Sequence, residues 1–215
     1  RENAALLNAA LVELAHRIIA GFTRAIAASR IAAPLYLTQN DGTVMAAEAA
    51  TALPVASFAS GATNSMRGAA FLSGLSDAMV VDVGGTSTDV SIIENHQPRY
   101  TSTSMVESYP VKTPMLDIVT VGSGGGSIVW TDSYGQLKVG PQSAGANPGP
   151  ICYGKGGTKP TVTDAAVALG RLPAALVGGE IALDAAAARQ AFVTLGQQLG
   201  LDPDDVRDRT AVEEE

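Results

Sequence analysis

The sequence predicts an α/β fold, and three observations carry that prediction. Leu7, Leu11, Leu14, Ile18, Phe22 and Ile26 recur at steps of three and four across residues 1–30, which sets them on one face of a long amphipathic helix. A β-branched run from Met79 to Val83 leads through a glycine turn into Val90-Ser91-Ile92-Ile93, the pattern of two antiparallel strands joined tightly. Ala-rich helical patterning resumes from Thr163 onward.

Between these landmarks the elements are short. Leu35 to Thr38 reads as a strand, Asn40-Asp41-Gly42 as a turn, and Asn64 to Leu75 as a helix. Residues 118–160 are dense in glycine, with a hairpin-like stretch around Ile128 to Val139. The segment Gly140 to Thr161 is too long for a bare connector, and loops of that length are usually functional. Asp184 is placed to cap a helix over Ala185 to Leu199, and Pro203 opens a last acidic helix whose end, Glu213-Glu214-Glu215, reads as a solvated face. A division into residues 1–75, the end of a preceding lobe with connecting helices, and 76–215, a core carrying the glycine loops, fits this order.

Composition narrows the function classes. The 215 residues are 46% hydrophobic and 16% charged, enough apolar matter for a sizeable core. A net charge of −7 with no basic stripe argues against nucleic-acid binding. The apolar runs are interrupted by Gly, Pro or charge short of the ~20 residues that span a bilayer, so neither a membrane segment nor a leader is expected. One cysteine, Cys152, allows no internal disulfide and points to the cytoplasm. Flanked by Ile151 and Tyr153, it reads as a small buried hydrophobe. His16 and His96 have no metal-type spacing.

The strongest local signal is Asp82-Val83-Gly84-Gly85-Thr86-Ser87-Thr88-Asp89. A strand delivers a carboxylate at its end, two glycines let the backbone turn closely enough for amide N–H groups to face a phosphate, and three hydroxyls add donors. A carboxylate beside phosphates is repelled unless a cation intervenes, which implies a divalent ion such as Mg²⁺, held largely through water and touching Asp82. Asp82 and Asp89 are thus the candidate catalytic acids, Asp82 the metal contact, and Gly84, Gly85, Thr86, Ser87 and Thr88 the candidate nucleotide contacts. The simpler reading is a polar hairpin with turn acids.

This segment resembles the phosphate-binding hairpin of the superfamily that contains actin, sugar kinases and heat-shock ATPases. A closer resemblance covers nearly the whole chain. Asp82 to Val90, Thr120-Val121-Gly122-Ser123-Gly124-Gly125-Gly126-Ser127-Ile128, the run Val139 to Pro150, and Cys152-Tyr153-Gly154-Lys155-Gly156-Gly157 are similar, in order, to the hydantoinase A / 5-oxoprolinase family, which includes acetone carboxylase subunits. So are Thr161-Val162-Thr163-Asp164-Ala165 and Leu169-Gly170-Arg171-Leu172.

The resemblance implies a ribonuclease H-like, actin-like ATPase fold with a mixed sheet and flanking helices, present here in part. It also implies ATP-dependent opening of a cyclic amide such as a hydantoin or 5-oxoproline, with the carbonyl activated by phosphorylation before water attacks. A second, hydantoinase B-like subunit is the expected partner. Only one phosphate hairpin is evident, so the isolated chain is not expected to turn over. The competing reading is a nucleotide-binding assembly subunit of a carboxylase-like complex without the reaction.

The remaining polar loops supply the candidate substrate contacts. Consecutive glycines leave amides uncovered, so Gly124, Gly125, Gly126 and Ser127 either meet an anion or flat substrate or form a tight crossing of backbones. Gly122-x-Gly124-x-x-Ser127 lacks the third glycine of a dinucleotide fingerprint. Gly149 to Gly156 nearly spells a P-loop, but Gly156 stands where Mg²⁺ needs a hydroxyl and Pro150 deletes an amide donor. Lys155 is therefore a phosphate or carboxylate contact, or a solvated lysine. Ser143, Asn147 and Asp164 could orient a cyclic substrate, although Asp164 could equally cap the helix that follows it.

Overall fold

The computed structural model describes residues 1–106, 108–173, 175–176, 179 and 181–212. The acidic run at 213–215 lies outside the described residues. The chain forms two compact units, Arg1–Asp82 with Val90–Val119, and Val83–Asp89 with the described residues from Thr120 onward. This division differs from a single boundary after residue 75, because the strands around the Gly84 turn pass from one unit into the other.

In the first unit the long periodic segment forms α1, Glu2–Ala28, one residue inside the span its spacing predicts at the start and two at the end. Its Ile19 is buried against Ala47 and Ala50, with Leu35, Leu37 and Met45 packed around them. Strands β1, Tyr36–Thr38, and β2, Val44–Ala46, form an antiparallel hairpin. Asp41 closes its turn by accepting from the Thr43 N–H and hydroxyl. Helices α2, Ala47–Ala52, and α3, Ser60–Ser73, follow, and Gly74 ends α3 in the left-handed region at φ 64°.

Asn40 ties this unit together. Fully buried, its side-chain amide donates to Val55 O at 2.8 Å, its Oδ1 accepts from Ala59 N–H at 2.9 Å, and its carbonyl accepts from Thr63 Oγ1 and Leu116 N–H. A buried amide with every group partnered fixes the β1–β2 turn against the segment leading to α3. By length and composition α1 would qualify to cross a bilayer, its most apolar 18-residue stretch having a mean hydropathy of 1.4. That corrects the expectation that no segment is apolar enough, since Ala and Leu raise the average even though the apolar residues are arranged as one face. In this structure Ile19 is the buried residue of α1, within a small core, while Leu14, Ile18 and Phe22 of the periodic face are exposed.

Strand β3, Ala78–Val83, and strand β4, Thr88–Glu94, flank the predicted glycine turn. The sheet order is Ile118–Val121, then β4, then β3, with Gln97–Pro98 also paired to β4. The registers described are antiparallel throughout.

In the second unit Ser127–Thr131 and Leu137–Ser143 form the predicted hairpin, with a register irregularity between Ser127 and Val129. Helices α4, Val162–Ala168, α5, Ala185–Leu199, and α6, Pro203–Val212, pack beside it. Asp184 caps α5 by accepting from Ala187 N–H at 2.8 Å. The core joins Val129, Cys152, Ala165, Ala188, Phe192 and Val206, so the hairpin, the long loop and all three helices share one apolar centre.

Candidate functional site

The chain places Asp82 on β3 among alternating side chains, with Ala78, Val80 and Asp82 half-buried and Met79, Val81 and Val83 exposed. Its carboxylate has no hydrogen-bond or ionic partner among the described residues. Asp89 is the second residue of β4 instead, and its Oδ1 accepts from Thr120 Oγ1 at 2.6 Å. The two acids thus differ: Asp82 is free to meet a cation, and Asp89 is partly engaged.

The turn between them is closed by Gly84 N–H donating to Ser87 O at 2.9 Å. Its two other carbonyls point the opposite way from its free amides. Gly84 O accepts from Gly125 N–H at 2.9 Å and Gly85 O from Gly126 N–H at 2.7 Å. In a trans peptide the N–H lies opposite the C=O. The Gly85 and Thr86 N–H groups therefore face away from the 124–127 loop, on exposed residues, with no acceptor among the described residues. A Cβ built on Gly85 would meet nothing within 4 Å, so the backbone there is open to a close-approaching anion. Of the hydroxyls, those of Thr86 and Ser87 are unengaged among the described residues, whereas Thr88 Oγ1 donates to Ser123 O at 2.8 Å.

The loop Gly124 to Ser127 takes the other of its two readings: it is a tight crossing of backbones. Gly124, Gly126 and Ser127 are buried, and Ser127 Oγ accepts from Gly124 N–H at 2.9 Å. A Cβ on Gly124 would lie 2.7 Å from Gly84 O, and one on Gly126 would lie 2.6 Å from Gly85 O. Amides spent on the Gly84 and Gly85 carbonyls are not available to a substrate. Glycine is required here by close approach, not by substrate contact.

Asp164 is likewise spent, which corrects its reading as a substrate contact. It is fully buried, with Oδ1 accepting from Cys152 N–H at 2.7 Å and Oδ2 from Ile151 N–H, Thr161 N–H and Thr161 Oγ1 at 2.8 to 3.2 Å. Thr161, not Asp164, is the N-cap of α4, and the two form a capping box. The same carboxylate thus caps α4 and pins the Ile151–Tyr153 turn of the long loop.

Ser143 Oγ accepts from Gly145 N–H at 3.1 Å, shaping its own turn. Asn147 is exposed, and Lys155 Nζ stands 6.0 Å over the Tyr153 ring. Neither has a further partner among the described residues. Cys152 is fully buried, and burial, reinforced by the Asp164 carboxylate, pushes its thiol far above the ordinary range. It is no nucleophile.

No cluster of three metal-ligating side chains occurs among the described residues. Asp82 could contribute a single carboxylate to a cation whose other ligands come from outside the protein, the kind of site Mg²⁺ commonly takes. A cleft of about 630 Å³ in the second unit, lined by Trp130, Lys159 and Gln198 among others, shares none of the residues around the turn. Thr163 was not singled out by the sequence reading. Its N–H and Oγ1 both donate to Gly125 O at 2.7 Å, across 38 positions, so no local pattern could have revealed it.

Known proteins resemble this chain in sequence and in fold. The sequence profile of the hydantoinase/oxoprolinase family matches residues 1–212. Over 130 residues the chain is 46% identical to the caprolactamase subunit alpha of Pseudomonas jessenii, covering 60% of this chain and 19% of that protein. The crystal structure of the ATP-dependent caprolactamase from Pseudomonas jessenii superposes with a TM-score of 0.67 at 33% identity, over 96% of this chain and 31% of that one. The nucleotide-free acetone carboxylase structure, from work on ATP-dependent acetone carboxylation, superposes with a TM-score of 0.77 at 23% identity over 88% of this chain and 27% of that one, and shows the fold. The chain spans roughly a fifth to a third of each of these proteins. With the profile matched across almost every residue, the chain belongs to the hydantoinase/oxoprolinase family.

Proposed function

We propose that this chain carries the nucleotide-phosphate site of an ATP-dependent hydrolase that opens a cyclic amide. The observation that carries the reading is the pair of adjacent, exposed N–H groups at Gly85 and Thr86, without a partner among the described residues and held outward because the carbonyls of the same peptides are bound from behind. Two preorganised amides at an open glycine are the donors a phosphate tail needs. Likeness to a caprolactamase supports a cyclic-amide substrate class, within which a hydantoin, 5-oxoproline or similar ring is the substrate of this proposal.

In this reading Gly85, Thr86 and the free hydroxyls of Thr86 and Ser87 orient the phosphates. Asp82 holds Mg²⁺, which supplies charge neutralisation when bound. The amide oxygen attacks the γ-phosphorus and ADP leaves. Water then adds to the activated carbon, the ring nitrogen departs as the amine, and a second water hydrolyses the resulting acyl phosphate to carboxylate and phosphate. Phosphorylation turns a poor leaving oxygen into a good one, so the protein's part is positioning and electrostatics. A ribonuclease H-like core, a hydantoinase B-like partner subunit and a cytoplasmic location belong to the same proposal. The name of the caprolactamase relative, a subunit alpha, supports a multi-subunit assembly.

The test is Asp82→Asn in the complete enzyme. ATP turnover should fall by at least about a hundredfold, since losing a metal-binding carboxylate costs several kcal/mol. Turnover retained within about threefold would remove Asp82 from the mechanism. A 44% identity over 133 residues with the acetophenone carboxylase gamma subunit of Aromatoleum aromaticum favours a second reading, a nucleotide-binding subunit of a carboxylase-like assembly. Tight ATP binding without hydrolysis of any cyclic amide would select it.

A further inference from the structure

The two outward amides are the ends of two hydrogen-bonded peptide chains that run side by side through the second unit. In one, Ser127 N–H donates to Gly124 O at 2.8 Å, the same peptide's Gly125 N–H donates to Gly84 O at 2.9 Å, and that peptide ends in the free Gly85 N–H. In the other, Thr163 donates twice to Gly125 O, from N–H and Oγ1 at 2.7 Å each. That peptide's Gly126 N–H donates to Gly85 O at 2.7 Å, and the chain ends in the free Thr86 N–H. Every dipole in each chain points the same way, toward the turn.

Aligned hydrogen bonds polarise one another, by perhaps 10–30% per bond in a protein interior. The chain headed by Thr163 carries two donors at its start, and Thr163 is only 8% exposed, so its hydroxyl is committed to this contact. We propose that Thr163 is a positioning residue for the anion site: through Gly125 and Gly126 it fixes and polarises the Thr86 N–H, so that this amide presents to a phosphate oxygen as a stronger donor than an isolated one. This rests on the phosphate-site reading above and gives that site a role for Thr163, a residue of the Thr161–Ala165 motif to which the sequence alone assigned none. Thr163 itself touches no ligand.

The experiment uses amide NMR shifts and calorimetry with inorganic tripolyphosphate on the protein and on Thr163→Val and Thr163→Ser. The valine variant keeps the shape and the backbone donor but loses the hydroxyl. The Thr86 N–H resonance should move upfield in it, with the Gly85 N–H, which ends the other chain, moving less. Tripolyphosphate affinity should fall by about three- to tenfold, the loss of one hydrogen bond's worth of positioning, and Thr163→Ser should restore both.

A folded Thr163→Val protein with an unmoved Thr86 amide, or with unchanged tripolyphosphate affinity, overturns the proposal. Should that variant lose its fold, scalar couplings across the Gly126-to-Gly85 and Thr163-to-Gly125 hydrogen bonds in the unmodified protein decide, and their absence overturns it. If the unmodified protein does not bind tripolyphosphate, the phosphate-site reading fails by itself, and the Thr86 shift still decides whether the chain of peptides is polarised.

Discussion

Replacing Gly126 by alanine tests whether the glycine loop is a structural brace for the turn. Gly126 has no left-handed backbone angle, so alanine adds no conformational strain of its own. Its methyl would instead sit 2.6 Å from Gly85 O and 2.7 Å from Ser143 Oγ. The Ser143 side chain can rotate away, but the Gly85 carbonyl can retreat only by lengthening the 2.7 Å bond it accepts from Gly126 N–H. Overpacking of this kind costs about 1–3 kcal/mol, and a weakened backbone hydrogen bond adds roughly 1 kcal/mol. The expected destabilisation is about 2–4 kcal/mol, read from the urea midpoint by circular dichroism at unchanged m-value. Gly122→Ala is the matched control: a Cβ there meets nothing within 4 Å, and its midpoint should stay within about 0.5 kcal/mol of the unmodified protein. Equal stabilities for the two variants would refute the close-crossing account of the loop.

Two further outcomes follow from the buried groups of the second unit. Asp164→Ala leaves the N–H groups of Ile151, Cys152 and Thr161 without their acceptor and should cost at least about 3 kcal/mol in the same denaturation assay, with Asp164→Asn intermediate; a loss below about 1 kcal/mol would mean water replaces the carboxylate. The Cys152 thiol, raised by burial, stays protonated in the fold at pH values where an unfolded chain ionises it above its ordinary pKa of about 8.5. The unfolded state then binds fewer protons, so stability should decline as pH rises from about 8.5, by at most about 1.4 kcal/mol per pH unit. Cys152→Ala should flatten that decline, and an identical slope in both proteins would show that other groups cause it.

Much of the architecture was legible because it is written locally. The steps of three and four over residues 1–30 form α1, the β-branched run at 79–83 forms β3, and Asp184 and Pro203 sit where the starts of α5 and α6 need them. Each of these depends on side-chain spacing or capping within a few residues, which periodicity reveals directly. The turn at Gly84-Gly85-Thr86 was legible for the same reason.

The division of labour among the glycines and acids was decided only by the tertiary structure. Whether Gly125 and Gly126 offer their amides to a ligand or to the protein depends on carbonyls about forty positions upstream. Whether Asp164 meets substrate or closes a loop depends on donors at 151, 152 and 161 arriving together in a buried place. A polar group carries no mark in the sequence of which partner it finds. Burial makes one partner obligatory, and only the folded chain determines what becomes buried.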